Sequence, residues 1–487
     1  MNFSRPLFGR LLMTLVLAHA ASAATASEMP PAIPRFSIEH MDRSVDPGAD
    51  FYRFAAGTWL KKNPVPSDKS RWSGFEQLRE RNWHLLHELL ESSSDQKMPR
   101  DALRQKVGDF YASAMDTQRL EQLRFKPLER DLKRIEGLKS TKALFALLAD
   151  FHERGIGGAF GANVSPDARN SAIYAFSLRQ GGLSLPDRDY YLKDDFAKQR
   201  EAYEAHVTKM LTLLGEKPSP AAAHARTVME IETALAKAGR SRVELRDPVK
   251  NYNKVSTTEL IARNPALPWR TYLDESGLSS LSYAIVGQPE FFAALDQLVR
   301  ERPLDEWKVY LRWHLLRSAA PELHREVEEE SFAFNGKILR GQPEQEPRWQ
   351  RAAKTIDGNI GEALGKLYVE KNFPPAARAR MNELVGNLRS VFLDRLKRLE
   401  WMSDETRAKG VAKFDRFTQK IGHPDKFRDY SAVRVRRDDL LGNVQRATIV
   451  ESRREAARVG KPVDRLEWHM TPQTVNAYFN QIGRAHV

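Results

Sequence analysis

Met470-Thr471-Pro472-Gln473-Thr474-Val475-Asn476-Ala477-Tyr478-Phe479 changes character halfway along. Its first half is a polar run around a proline. Its second half, Val475 to Phe479, is β-branched and aromatic, the composition of a short strand. Strand alternation puts Asn476 and Tyr478 on one face and Val475, Ala477 and Phe479 on the other. An edge strand can hold an extended peptide by adding it to the sheet. An ordinary buried strand has the same composition, so the segment alone leaves both readings open.

Outward from that stretch the chain reads as mainly α. Phe75, Leu78, Leu85, Leu86, Leu89 and Leu90 recur near helical spacing and predict a helix over 76–91. Leu103, Val107, Phe110 and Ala114 repeat the pattern, and Tyr203, Val207, Met210 and Leu214 do so again. Ser219-Pro220 reads as an N-cap with proline at the first helical position, opening a helix through Val228, Ile231 and Leu235. Further helices fit 289–301, 304–318, 348–371 and 376–400. One stretch differs. Ala159 to Val164 and Ser171 to Leu178 are β-rich around Ser165-Pro166-Asp167 and predict a hairpin. It feeds the loop Gln180-Gly181-Gly182-Leu183-Ser184-Leu185-Pro186-Asp187-Arg188. That loop reads either as a plain turn or as a place of close backbone approach. It lacks the lysine and following Ser/Thr of a phosphate loop.

The 487 residues are 41% hydrophobic and 29% charged, enough to bury a core and too balanced for a disordered polyelectrolyte. There is no cysteine, which removes disulfides, thiolate metal sites and cysteine nucleophiles. Arg5 and Arg10 precede an apolar run, Leu11 to Leu17, too short to span a bilayer. Two small-x-small sites follow, and a cut after Ala23 is expected, which makes 1–23 a signal peptide. No membrane span is expected after its removal, and the expected location is periplasmic or secreted. The cut takes away two arginines and no acid, so the net charge falls from +13 to +11. The remaining basic residues are dispersed, as where Arg434, Arg436 and Arg437 meet Asp438 and Asp439. No basic stripe interleaves with aromatics, and no nucleic-acid partner is expected.

Several segments together resemble the neprilysin/endothelin-converting-enzyme family of zinc metallopeptidases. They are Asp46-Pro47-Gly48-Ala49-Asp50-Phe51-Tyr52 with Gly57-Thr58-Trp59, then Ser70-Arg71-Trp72-Ser73-Gly74-Phe75 with Leu78-Arg79. Gln180-Gly181-Gly182-Leu183 to Tyr190-Tyr191-Leu192 follows, then Arg348-Trp349, Gly365-Lys366-Leu367-Tyr368, Trp401-Met402-Ser403 and Ile421-Gly422. The stretch from Met470 to Phe479 closes the series. The resemblance implies a two-lobed, mainly α peptidase with a small β-hairpin and a thermolysin-like catalytic lobe. The implied division is an extended lead-in over 24–48 and a segment over 49–95 contributing to the peptidase body. A helical cap lobe over 96–372 and the start of a catalytic lobe over 373–481 complete it.

The same resemblance implies peptide substrates held by Asn476 through its side-chain amide and by the Ala477 carbonyl, with Tyr478 alongside. Arg71 and Arg79 match arginines that face a substrate's C-terminal carboxylate and side chains, a task that suits a bidentate guanidinium. Gly74 argues against one continuous helix through Arg71. Phe75 is read as pocket lining or as core, and Trp59, Trp349 and Trp401 as core.

The chemistry of such a family needs a zinc-bound water. The resemblance implies two histidines and a base from His-Glu-x-x-His, with a third ligand further on. This sequence has no His-Glu-x-x-His. The nearest approximations are His87-Glu88-Leu89-Leu90-Glu91, with His84 one turn earlier, and His152-Glu153. Residues 482–487 depart from the family and match one translated frame of a common sequencing adapter, so a non-native tail is expected there. The expectation is an N-terminal fragment of a metalloendopeptidase that lacks the zinc helix, has no catalytic residue of its own and binds no zinc, and that, exposing apolar surface and an unpaired strand edge, aggregates or stays partly unfolded beyond about residue 375. A peptide-binding pseudo-peptidase that has lost its metal, or a purely structural helical protein, remains open. The number of subunits is not legible.

Overall fold

A computed structural model describes residues 30–480, apart from 96, 98, 100 and 101, together with 484 and 485. The leader expected over 1–23 and most of the tail expected over 482–487 lie outside the described residues. From residue 30 to 48 the lead-in is irregular except for a single 3-10 turn at Ile38–His40.

Amphipathic helices pack into two hydrophobic cores. The larger gathers the helices Thr141–Glu153, Ala197–Leu213, Pro218–Ala238, Pro289–Glu301 and Leu304–Ala319 around a small sheet. Phe145, Val207, Ile231, Leu295 and Trp313 are all fully buried there. The second core joins Gly74–Ser94 and Leu103–Met115 to Arg348–Asn372 through Leu86, Leu90, Val107, Phe110, Ile356 and Leu364. The helix Leu440–Ala456 spans both, with Leu440 and Ala447 in the second core and Leu441 in the first.

The expected hairpin forms as β1 (Phe160–Pro166) and β2 (Tyr174–Gln180), antiparallel and in register from Phe160↔Gln180 to Pro166↔Tyr174. Two further strands were not legible: β3 (Asn253–Ser256) and β4 (Tyr283–Val286). They make a four-stranded sheet in the order β1-β2-β4-β3, in which β2 and β4 run parallel. A parallel pair needs a long crossover, and here it runs through the helices between residues 181 and 282.

One expectation about the helices needs correction, and one helix has a feature not read from sequence. Ser219 is not an N-cap, because the helix opens at Pro218 with Lys217 as its cap, leaving Ser219 inside the first turn. The helix Arg348–Asn372 is not straight: Ile360 has φ −129° and ψ 40°. The glycines at 358 and 361 flank that residue and lower the local cost of breaking helical geometry. Trp401 is not core but 75% exposed. Trp59 and Trp349 are half-buried. Beyond residue 375, Met381, Leu384, Leu388, Val391 and Phe392 are exposed along the helix Pro375–Lys397.

Candidate functional site

The kinked helix builds the platform for the 470–479 stretch. A Cβ on Gly361 would stand 2.6 Å from the Thr471 methyl, and one on Gly365 would stand 2.6 Å from the Pro472 ring. Four residues apart on one helix, the two glycines form a flat strip on which Thr471, Pro472 and Gln473 lie. Gln473 is the peg. It is 4% exposed. Its side-chain amide donates to the Gly361 carbonyl at 3.0 Å and to the Asp357 carboxylate. Its own carbonyl accepts from the Asn82 side chain at 2.8 Å, and Tyr368 donates to Asn82 at 3.1 Å. Thr471 adds a hydrogen bond to Asp357 at 3.2 Å. Burial pushes the Asp357 carboxyl up, against the hydrogen bonds from Gln473 and Thr471.

Past this peg the expected strand does not form. Residues 475–478 have no strand geometry, and β5 (Phe479–Asn480) pairs only with β6 (Arg484–Ala485). The Asn476 amide nitrogen donates to the Thr474 carbonyl at 3.0 Å, and the Asn476 side-chain oxygen accepts from the Ala477 N–H at 2.8 Å. Both bonds curl the backbone locally. A lone extended segment has nothing to satisfy its backbone groups except water or its own side chains, and among the described residues no strand lies beside this one. Asn476 and Ala477 are exposed. Tyr478 instead folds back: its hydroxyl accepts from the His469 N–H at 3.2 Å, and burial raises its pKa. Asn476 and Tyr478 therefore do not present one common face.

Arg71 and Arg79 converge on one carboxylate. Arg71 Nε lies 3.0 Å and Arg79 a terminal nitrogen 2.6 Å from Glu76. The helix starts at Gly74 with Ser73 as N-cap, so Arg71 lies outside it, as Gly74 suggested. The Ser73 hydroxyl caps the helix by accepting from the Phe75 N–H at 3.2 Å and donates its own proton to the Glu76 carboxylate. Burial works to raise the Glu76 carboxyl, but the Ser73 hydrogen bond and the two arginine charges outweigh it and hold it below the usual range. Arg71 is 73% exposed along its side chain. Phe75 is 60% exposed, so it is not core. The helix carrying Arg79 and Phe75 touches the 470–479 stretch through Asn82 and Gln473.

A cavity of about 710 Å³ opens beside Thr471, between the two cores, with Tyr174, Glu362, Arg428, Glu455 and Glu467 on its walls. The histidines weighed as metal ligands are engaged elsewhere. His87 stacks on Trp349 at 4.1 Å and pairs with Glu91 at 3.2 Å, and His84 faces Glu88 at 3.7 Å. His152 bonds Tyr272 at 2.8 Å, and Glu153 bonds Arg453. Among the described residues no three His, Asp or Glu side chains converge as a metal site.

Asn82, Asp357 and Gln473 were not singled out from sequence. Gly361 and Gly365, spaced four apart in an amphipathic helix, were the available signal.

Residues 47–424 match peptidase family M13. The chain is 28% identical over 472 residues to an endothelin-converting enzyme homolog of Locusta migratoria, covering 90% of this chain and 64% of that protein. It is 29% identical over 468 residues to human endothelin-converting enzyme 1, covering 91% and 60%. The chain thus spans about three fifths of the length of these curated relatives. Among solved structures, the zinc metalloprotease Zmp1 of Mycobacterium tuberculosis with an inhibitor superposes with a TM-score of 0.88 at 33% identity, covering 93% of this chain and 70% of that one. Zmp1 in an open state gives 0.81 at 34% identity, covering 91% and 69%. PepO from Lactobacillus rhamnosis shares the fold, with a TM-score of 0.80 at 20% identity, covering 90% and 70%. The helical body, its small sheet and the order of its motifs agree with these matches, and the chain belongs to peptidase family M13.

Proposed function

We propose that this chain is the peptide-holding, N-terminal portion of a secreted zinc-dependent metalloendopeptidase of oligopeptides. The observation that carries this reading is the exposed Asn476-Ala477 pair, which follows directly on the buried Gln473 peg, while the large cavity opens beside Thr471 just before that peg. An extended substrate bonds the Asn476 amide and the Ala477 carbonyl, and in doing so gives residues 475–478 the strand partner they lack. Arg71 and Arg79 meet a substrate carboxylate by sharing or giving up Glu76. Phe75 offers an exposed aromatic face to substrate side chains, and Tyr478 flanks the grip. We take the larger core as a cap lobe and the second as the beginning of a catalytic lobe, a division that moves Leu103–Met115 and Arg348–Asn372 out of the 96–372 span expected for the cap, and the open state of a Zmp1 relative supports a chamber that opens.

Hydrolysis requires a metal-held water, and neither the sequence nor the convergence of described side chains supplies its ligands. We assign those ligands to polypeptide beyond this portion, in keeping with relatives whose lengths it spans by about three fifths. The test uses the 487-residue chain and a fluorogenic oligopeptide. Saturable binding, weakened at least several-fold by Asn476→Ala, without cleavage, is expected. Cleavage that a chelator abolishes, or one tight equivalent of zinc in the purified chain, overturns the reading. The same binding measured on a chain whose gene shows a genuine stop codon would favour the pseudo-peptidase instead.

A further inference from the structure

Asp357 stands on the kinked helix Arg348–Asn372, beside the strip that seats Thr471 and Gln473, and it lines the cavity of about 710 Å³. Both of its donors reach the same oxygen: the Gln473 amide and, at 3.2 Å, the Thr471 hydroxyl bond Oδ1. Among the described residues no donor bonds Oδ2, and no lysine, arginine or histidine pairs with the carboxylate. A carboxylate set in a wall with one oxygen satisfied and no counter-charge is costly, and a cation brought to the open oxygen relieves the cost.

The arginines of the same cavity are engaged with other acids. Arg428 pairs with Glu451 at 3.0 Å. Arg454 pairs with Glu455 at 2.6 Å and with Glu467 at 3.0 Å. Arg458 pairs with Glu455 at 2.8 Å and also with Glu467. Each guanidinium on the cavity wall therefore has a glutamate, while Asp357 has no cation. Lys plus Arg exceeds Asp plus Glu in the chain by 77 to 64, so the gap is one of placement and not of supply. Trp468 and Met470 line the same cavity and offer apolar surface along which the aliphatic stem of a lysine or arginine can lie.

We propose that Asp357 is a specificity-determining residue, taking on its open oxygen the cationic group of a bound peptide, a guanidinium or an ammonium. The inference rests on the peptide-holding role proposed above and names the substrate class of that site: oligopeptides that carry a basic group. Gln473 ties the two together, since its side chain fixes Oδ1 of Asp357 and its backbone leads within three residues to Asn476. Two donors on Oδ1 also hold the carboxylate in one orientation, so a cation meets a fixed acceptor and not a swinging one. Burial works against the charge on Asp357, and a cation at Oδ2 favours it. A neutral group of the same shape brings donors without charge and forms the weaker bond.

The test compares, on the 487-residue chain, a C-terminally labelled oligopeptide containing one arginine with its citrulline twin and with its N-acetylated form. The chain should bind the parent peptide about tenfold more tightly than one of the two neutralised forms, the loss expected of one charge-assisted hydrogen bond. A loss with citrulline identifies the cation as the side chain, and a loss with the acetyl group identifies it as the amino terminus. Asp357→Asn, whose amide oxygen still accepts from Gln473 and Thr471, should bring that ratio close to one. Asn476→Ala should weaken all three peptides by a common factor and leave the ratio standing. Equal binding of the three peptides by the wild type, or a ratio that survives Asp357→Asn, overturns the assignment and leaves the peptide-holding role intact. Absence of saturable binding by any of them overturns both. If Asp357→Asn fails to fold, the carbon-13 carboxyl titration of Asp357 in the wild type decides: a midpoint drawn down by the parent peptide and not by its neutralised form supports the assignment, and one unmoved by either overturns it.

Discussion

Glu232 explains a motif whose sequence reading stayed open between a turn and a close approach. Its carboxylate is fully buried. It accepts from Ser184 at 2.6 Å, from Tyr191 at 2.7 Å and from Tyr203 at 2.9 Å, and the His314 ring stands 3.3 Å away. The Tyr191 hydroxyl in turn accepts from the Ser184 and Leu185 N–H groups. The loop from Gln180 to Leu192 is therefore wound around a buried acceptor. Gly182 makes the winding possible: its φ is +78°, and a Cβ there would stand 2.7 Å from the Tyr310 hydroxyl. Glu232→Ala strands two tyrosine hydroxyls and a serine in the core. We expect it to cost on the order of 3 kcal/mol, read as a lower urea midpoint at unchanged m-value. A loss below about 1 kcal/mol would show that water replaces the carboxylate without difficulty.

Among the helices, Pro375–Lys397 stands apart. Its exposed Met381, Leu384, Leu388, Val391 and Phe392 fall along one stripe, which is the pattern of a helix meant to be covered. The sequence led us to expect exposed apolar surface from about this point. Leu388, 62% exposed, is the most open of the five. Replacing it by glutamate should change stability by less than about 0.5 kcal/mol, as at any exposed site. It should also lower the fluorescence of an apolar-surface dye and delay aggregation. A loss of about 2 kcal/mol or more would mean that this face is packed in solution. The kinked helix teaches the complementary lesson, since its glycines have a purpose only once Thr471 and Pro472 lie against them.

Across the fold as a unit, buried histidines set the response to acid. Burial lowers His152 to about 4, with the nearby His314 adding to the shift, and burial likewise lowers His314. A histidine depressed in the fold binds fewer protons there than in the unfolded chain. Its contribution is present above the ordinary value near 6.5 and is lost as the pH falls toward 4. For His152 the loss reaches about 3 kcal/mol at most. Denaturant midpoints measured from pH 7 to pH 4 should fall steadily, and His152→Phe should flatten the slope. An unchanged slope in that variant would assign the acid response to other groups.

The helical class, eight of the helices and the β1–β2 hairpin were readable in the chain, because apolar periodicity and turn residues are local signals. So was membership of the family, which the match over residues 47–424 shows. Strands β3 and β4 were not, since four residues carry little pattern and β4 pairs with residues more than a hundred positions away. Nor was the shape of residues 475–478: β composition describes a strand's fitness for a sheet, and whether a neighbour is present to accept its hydrogen bonds is a property of the folded body. The convergence of Arg71 and Arg79 on Glu76, the peg at Gln473 and the bond from Tyr174 to Glu467 join residues far apart in the chain, or turn on which partner a side chain finds. Periodicity in a sequence carries no information about either, and packing supplies it.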